Sequence, residues 1–311
     1  MATKFNNRSE KVCLGCSSIL PKPSIGNYAF CFKCGTANLD SLNDAEEDNR
    51  KYFNQHFNQQ FKKIPFRLTL FKIFNMFHEL LNFRVEQKFQ CLMEEVDRYF
   101  SESKLAIEIG FGSGDELHKR LIKGFNCLGF DLSRSAVDAF RRKYPQYSDK
   151  VFLNRAGEFP FKANMIYSNA LFEHLDNPDE FLRGANEQLE AGGYLIIRLP
   201  ILVGLQDNRG ALVDINLWDP CHRALYTNVG LKTLLNDHGF KIIKQVNYPY
   251  YGYKVMNQLL IYGFKSIQEI RCPYYEIKGL SLITYIGALF RALFTDLPCE
   301  ESSVIAKKCS V

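Results

Sequence analysis

The sequence predicts an α/β fold, an open and mostly parallel sheet with helices on both faces. Three observations carry this reading. Short apolar runs alternate with amphipathic segments from residue 104 to residue 246, the rhythm of βαβ units. The first run ends in an acidic residue and a glycine-rich turn, Glu108-Ile109-Gly110-Phe111-Gly112-Ser113-Gly114. Well ahead of it, two Cys-x-x-Cys pairs, Cys13/Cys16 and Cys31/Cys34, mark a separate metal-binding element.

The chain has 311 residues, enough for one large catalytic domain with appendages or for two modest domains. Its 46% hydrophobic and 23% charged content is that of an ordinary globular protein, which excludes a disordered chain. The 26 Phe and 16 Tyr suit either a large apolar cleft or a well-filled core. A net charge of +5 helps to attract an anionic substrate but falls short of the basic stripe of a nucleic-acid binder.

Residues 1–10 are polar and lack the apolar stretch and cleavage site of a secretory signal, so a cytoplasmic protein is expected. In a reducing compartment, paired cysteines point to metal or redox chemistry and not to structural disulfides. Fourteen residues separate Cys16 from Cys31, at the lower edge of zinc-ribbon spacing, and Pro21, Pro23 and Gly26 lie between them. Each tight turn presents two sulfurs on one side, so Cys13, Cys16, Cys31 and Cys34 are expected to converge on one tetrahedral zinc. Such a ribbon serves as a structural cap or as a module that recognises a partner, and both roles stay open.

From about residue 40 to residue 100 the pattern is helical and amphipathic. Phe66, Leu70, Phe71, Phe74, Phe77 and Leu81 recur at three- and four-residue steps, as do Phe89, Leu92, Met93 and Val96. A helical collar is expected there, with Pro65 starting one helix. The alternation that follows predicts strands over 104–109, 127–130, 151–153, 165–168, 194–199 and 241–246. Helices are expected over 115–123, 133–144 with Ser133 as N-cap, 178–189 and 227–238. Late in the chain, 279–297 is apolar but broken by Arg291 and Asp296, which predicts a packed helix or one resting on a membrane surface, not a span.

The glycine turn narrows the ligand. Backbone without Cβ atoms at the carboxyl end of a first strand lets a ligand approach closely. A nicotinamide fingerprint needs its third glycine where Asp115 stands, and no Gly-Lys-Ser/Thr follows for a nucleoside-triphosphate loop.

The run AIEIGFGSG followed by GFDLS resembles motifs I and II of the class I S-adenosylmethionine-dependent methyltransferases. The resemblance continues in NRAGEFPF (154–161), SNALFEHLDNP (168–178) and LEAGGYLIIRLP (189–200), and together these cover about residues 104–246. It implies a Rossmann-like seven-stranded sheet with S-adenosylmethionine on the turn. Glu108, Gly110, Phe111, Gly112 and Gly114 would cradle the cofactor. Asp131 would grip the ribose hydroxyls, with Leu132 beside it, and two carboxylate oxygens suit a vicinal diol. Ala156 and Gly157 fall at the adenine contact, where Arg155 replaces the usual acid. Asn169, Ala170 and His174 would border the cofactor. The alternative role for Asp131 is to cap the next helix.

The stretch NLWDPCHRALYTNVGLKTLLNDHGF (216–240) resembles methyltransferases of sugar and cell-surface polysaccharide pathways, and a four-cysteine ribbon ahead of the catalytic domain is similar to the zinc-containing sugar C-methyltransferases. Methyl transfer to a hydroxyl or acidic carbon needs a base beside the cofactor. His222 is the leading candidate, since an imidazole titrates near neutrality and substrate loops follow the fifth strand; holding the loop is its alternative role. His174 and Glu173 come next, and Tyr226 would orient a substrate hydroxyl or simply pack.

The expected organisation is a zinc ribbon over 1–40, a helical collar over 41–100, the S-adenosylmethionine-binding core over 101–247, an aromatic and helical cover over 248–300, and a last strand and tail over 301–311. The cover holds Tyr250, Tyr251, Tyr253, Tyr274 and Tyr275, which suit acceptor stacking or a homodimer face equally. The expected acceptor is a small hydroxylated molecule, a sugar or a polysaccharide or natural-product precursor. RNA, protein or another natural-product scaffold as acceptor, and a non-catalytic cofactor-binding scaffold, are the rivals.

Overall fold

A computed structural model describes residues 11–22, 28–39, 93–157, 160–202, 222–248 and 301–309. Most of the expected collar and all of the expected aromatic cover but Tyr248 lie outside the described residues. Ten strands are described: β1 (Tyr28–Phe30), β2 (Ala37–Leu39), β3 (Ala106–Ile109), β4 (Cys127–Asp131), β5 (Val151–Leu153), β6 (Ala163–Asn169), β7 (Leu189–Pro200), β8 (Ala224–Leu225), β9 (Phe240–Tyr248) and β10 (Glu301–Lys308). The helices are α1 (93–102), α2 (Asp115–Ile122), α3 (Arg134–Lys143), α4 (Pro178–Gln188) and α5 (Asn228–Asp237).

Seven strands form one sheet in the order β5-β4-β3-β6-β7-β10-β9. β3 to β7 run parallel, and β10 lies antiparallel between β7 and β9. The chain moves outward from β3 to β5, then returns to place β6 on the other side of β3. That reversal opens a crevice at the carboxyl ends of β3 and β6, where open α/β sheets bind ligands.

Local chemistry explains the helix starts. The Ser133 hydroxyl accepts from the Ala136 N–H, Asn177 caps α4 through Glu180 N–H with Pro178 at its first position, and Thr227 caps α5 through Gly230 N–H. The sheet strands are buried on both faces. Ile107, Ile109, Ile166, Leu195 and Ile197 pack with α4 and α5, and Ala106, Met165, Tyr167 and Ile196 pack with α1, α2 and α3.

Two differences from the sequence reading stand out. β7 begins at Leu189 and takes in the Gly192-Gly193 turn expected at its entrance, with a register irregularity between Ala163 and Met165 absorbing the distortion. A second sheet, β1-β2-β8, joins the cysteine hairpin to residues 224–225: Ala37 pairs with Leu225 and Asn38 with Ala224. Among the described residues, no helix is long and apolar enough to cross a membrane.

Candidate functional site

At the end of β3 the glycine turn bends through left-handed backbone, with φ of 70° at Gly110, 55° at Gly112 and 73° at Gly114. A Cβ at Gly112 would meet nothing within 4 Å, so the turn keeps an open face toward the crevice. The Phe111 side chain turns the other way, into the core, edge-on to Phe140 at 5.6 Å.

Asp131 ends β4, the neighbouring strand. Its carboxylate accepts the Gly112 N–H at 3.0 Å and the Ser133 N–H at 2.8 Å, which ties the glycine turn to the second strand. The cap of α3 is Ser133 and not Asp131. Burial raises the Asp131 carboxyl above the ordinary aspartate range, and the two N–H groups pull it back. A carboxylate has more acceptor sites than these two bonds use, which leaves capacity for a diol. Leu132 is exposed beside it, exposed Leu153 ends β5, and exposed Phe161 lies two residues before β6 begins. Phe161 joins the Phe130–Phe152 stack, so this end of the crevice has an apolar rim that the sequence reading did not single out.

Ala156 and Gly157 form a turn after β5, with Gly157 at φ 101°. Asn169 closes β6, and Ala170 follows at φ 49°, a left-handed alanine held by its N–H donating to the Arg198 carbonyl at 2.9 Å. Strain of this kind gathers at ligand-binding turns. Glu108 points away from the turn into a buried ion pair with Arg120, at 2.7 Å.

A second cluster lies past β6. Glu173 and His174 sit on a single helical turn (Phe172–His174), and His222 reaches them from 48 residues further along the sequence. The ligand atoms of Glu173, His174 and His222 lie within 4.8 Å of one another, with the two imidazole centroids 4.8 Å apart. Glu173 and His222 are buried. Tyr226 is fully buried and packs against Phe172 at 5.3 Å, and burial raises its phenol well above the ordinary range.

The four N-terminal cysteines also converge. Cys13 and Cys34 sulfurs are 3.6 Å apart, Cys16 and Cys31 3.5 Å, and all four lie within 4.8 Å. Zinc–thiolate bonds of about 2.3 Å in a tetrahedron put sulfurs about 3.8 Å apart, so the donor set fits that ion. None of the four is in a disulfide. The Gly15 N–H points at the Cys13 sulfur at 3.3 Å, as expected around anionic thiolates. The Cys13 thiol beside it, followed by the Thr36 hydroxyl, holds Cys34 down at about 4.

Comparison with known proteins gives these arrangements a context. A family model described as a methyltransferase domain matches residues 84–245, just over half of the chain. No curated protein sequence matches. Among solved structures, the geranyl diphosphate C-methyltransferase from Streptomyces coelicolor, in complex with Mg2+, geranyl diphosphate and S-adenosyl-L-homocysteine, is 11% identical over 86% of this chain and 100% of that one, with a TM-score of 0.54. This likeness is one of fold. A SAM dependent methyltransferase from Archaeoglobus fulgidus is 19% identical over 74% of this chain and 94% of its own, with a TM-score of 0.47. The cyclopropane synthase from Mycobacterium tuberculosis is 16% identical over 70% and 84%, with a TM-score of 0.47.

Proposed function

The chain belongs to the methyltransferase-domain family and is an S-adenosylmethionine-dependent methyltransferase; we propose that it methylates a small hydroxylated acceptor, a sugar or a polysaccharide or natural-product precursor, with His222 as general base. The observation that carries this reading is the meeting of His222 with His174 and Glu173 just past the carboxyl end of β6.

In this reading Gly110, Phe111, Gly112 and Gly114 supply backbone to the cofactor, Asp131 its ribose ligand, and Leu132, Ala156, Gly157, Asn169 and Ala170 the adenine and methionine borders. S-adenosylmethionine, when bound, supplies an electrophilic methyl group. The protein's part is to orient the acceptor and take its proton. The His222 imidazole accepts that proton, and the buried Glu173 carboxylate stabilises the charge that results. His174 packs against the His222 ring and orients it. The fit of the cysteine set supports one zinc held by Cys13, Cys16, Cys31 and Cys34, in a structural role and not as a reacting group.

The reading is tested with labelled S-adenosylmethionine and a metabolite extract freed of protein and nucleic acid. Label is expected in a small, hydroxyl-rich product, and His222→Ala is expected to abolish it while leaving cofactor affinity nearly intact. Label appearing only when RNA or protein is restored would overturn the acceptor class, and a fully active His222→Ala protein would remove the base.

A further inference from the structure

The peptide unit that joins His222 to Arg223 is held at both of its polar ends, by two segments far apart in sequence. Its carbonyl, on His222, accepts from the Tyr28 hydroxyl at 3.0 Å. Its N–H, on Arg223, donates to the Glu173 carbonyl at 2.7 Å. Fixing both ends fixes the plane of the peptide and the place of the His222 Cα that lies in it. The Glu173 end belongs to the same helical turn as His174, so this clamp ties the His222 backbone to the turn that carries the second imidazole.

The Tyr28 end belongs to the cysteine knuckle. Tyr28 opens β1, and Cys31 immediately follows that strand. Cys34 leads into β2, whose last residue, Leu39, donates its N–H to the Arg223 carbonyl at 2.9 Å. The ring of Tyr28 is buried with Phe30, Ala37, Leu202 and Leu225. Phenylalanine would keep the buried ring and remove the bond to the His222 carbonyl.

We propose that Tyr28 is a positioning residue for His222, and that through it the four-cysteine knuckle sets the geometry of proton removal. The knuckle thereby has a role in turnover without a cysteine touching the acceptor. The inference rests on His222 being the base. Displacing a reacting group by a fraction of an ångström lowers turnover while binding persists, because alignment matters most in the transition state.

The experiment uses the full, zinc-loaded chain with S-adenosylhomocysteine added and its histidine rings isotopically labelled for NMR, the His222 signal being assigned from a His222→Gln protein. In Tyr28→Phe the His222 signal is expected to move and its titration midpoint to shift. The His118 signal, zinc content and cofactor affinity are expected to stay unchanged. With the labelled product of the acceptor assay, kcat is expected to fall about tenfold with little change in KM. If Tyr28→Phe does not retain zinc, exchanging zinc for the larger cadmium in the unmodified chain supplies the same readout, and His222 is again expected to respond. A His222 signal and midpoint that match the unmodified protein overturn the proposal. Failure of the base reading looks different: the His222 signal moves in Tyr28→Phe, but kcat is unaffected both there and in His222→Ala.

Discussion

Arg120 donates to the Glu108 carboxylate at 2.7 Å, with the two side chains 1% and 6% exposed. The strand before the glycine turn and the helix after it are therefore joined by a buried ion pair. Asp97 of α1 takes a second Arg120 bond at 3.2 Å, and the guanidinium lies over the Phe100 and Tyr167 rings at 4.1 and 4.7 Å. Removing Arg120 leaves a buried carboxylate without its cation, so Arg120→Met is expected to cost about 3–5 kcal/mol in urea unfolding. The pH dependence follows from the carboxyl's shift. Burial raises Glu108 above the ordinary glutamate range although Arg120 pulls it back, so the folded state holds the proton more tightly than the unfolded one. Stability from this group is complete below the unfolded value and is lost as pH rises through the folded one. Without Arg120 that window moves upward. The loss in Arg120→Met is therefore expected to shrink at pH about 5 relative to pH about 8, and an equal loss at both would sink the argument.

Asp131 offers a prediction on the cofactor itself. Its carboxylate organises the turn through the Gly112 N–H and faces the crevice with unused acceptor capacity. Asp131→Ala is expected to weaken S-adenosylmethionine binding by about 10- to 100-fold in calorimetric titration, the worth of one to two charge-assisted hydrogen bonds. A protonated carboxyl accepts less well, and the raised value places that change above the usual aspartate range. Affinity is thus expected to decline on acidification earlier than an ordinary aspartate would dictate, a trend absent from Asp131→Ala.

Features written in local sequence were legible in advance. The strands at 106–109 and 151–153 follow from short apolar runs, the α3 and α5 starts from Ser133 and Thr227, and the glycine turn from its own spacing. What escaped depends on residues distant in sequence. Ala224–Leu225 is too short to show a period, and it is a strand only because β2 lies alongside it. Arg120 sits on a charged helix where it reads as a solvent-facing residue, and its burial is set by Glu108 and two rings. The sequence offers His222 and His174 as separate candidates, and only the fold reveals that they meet.

The cysteine knuckle makes a compositional prediction. The sulfur spacing suits one tetrahedral zinc, and the purified chain is expected to carry about one equivalent by elemental analysis. A strong chelator is expected to lower the melting temperature, because β2 pairs with β8 and the Thr227 hydroxyl both caps α5 and donates to the Cys34 carbonyl. A metal-free preparation with the same melting temperature would show that the thiols pack without an ion.

The last prediction concerns Gly230, where α5 crosses the knuckle. A Cβ at this position would lie 2.2 Å from the Thr36 hydroxyl and 3.2 Å from the Cys34 sulfur. Thr36 is fully buried, and the Cys34 sulfur lies 3.2 Å from its hydroxyl, so that hydroxyl cannot retreat without disturbing a metal ligand. Gly230→Ala ordinarily favours a helix by about 1 kcal/mol. Here overpacking of about 1–3 kcal/mol opposes the gain and acts on the cysteine site. The variant is therefore expected to lose zinc to a competing chelator faster than the unmodified chain does. Thr36→Ser, which keeps the hydroxyl but removes a methyl, is expected to leave zinc retention close to normal. Equal zinc loss from Gly230→Ala and the unmodified chain would mean that α5 and the knuckle are not in the contact that this geometry requires.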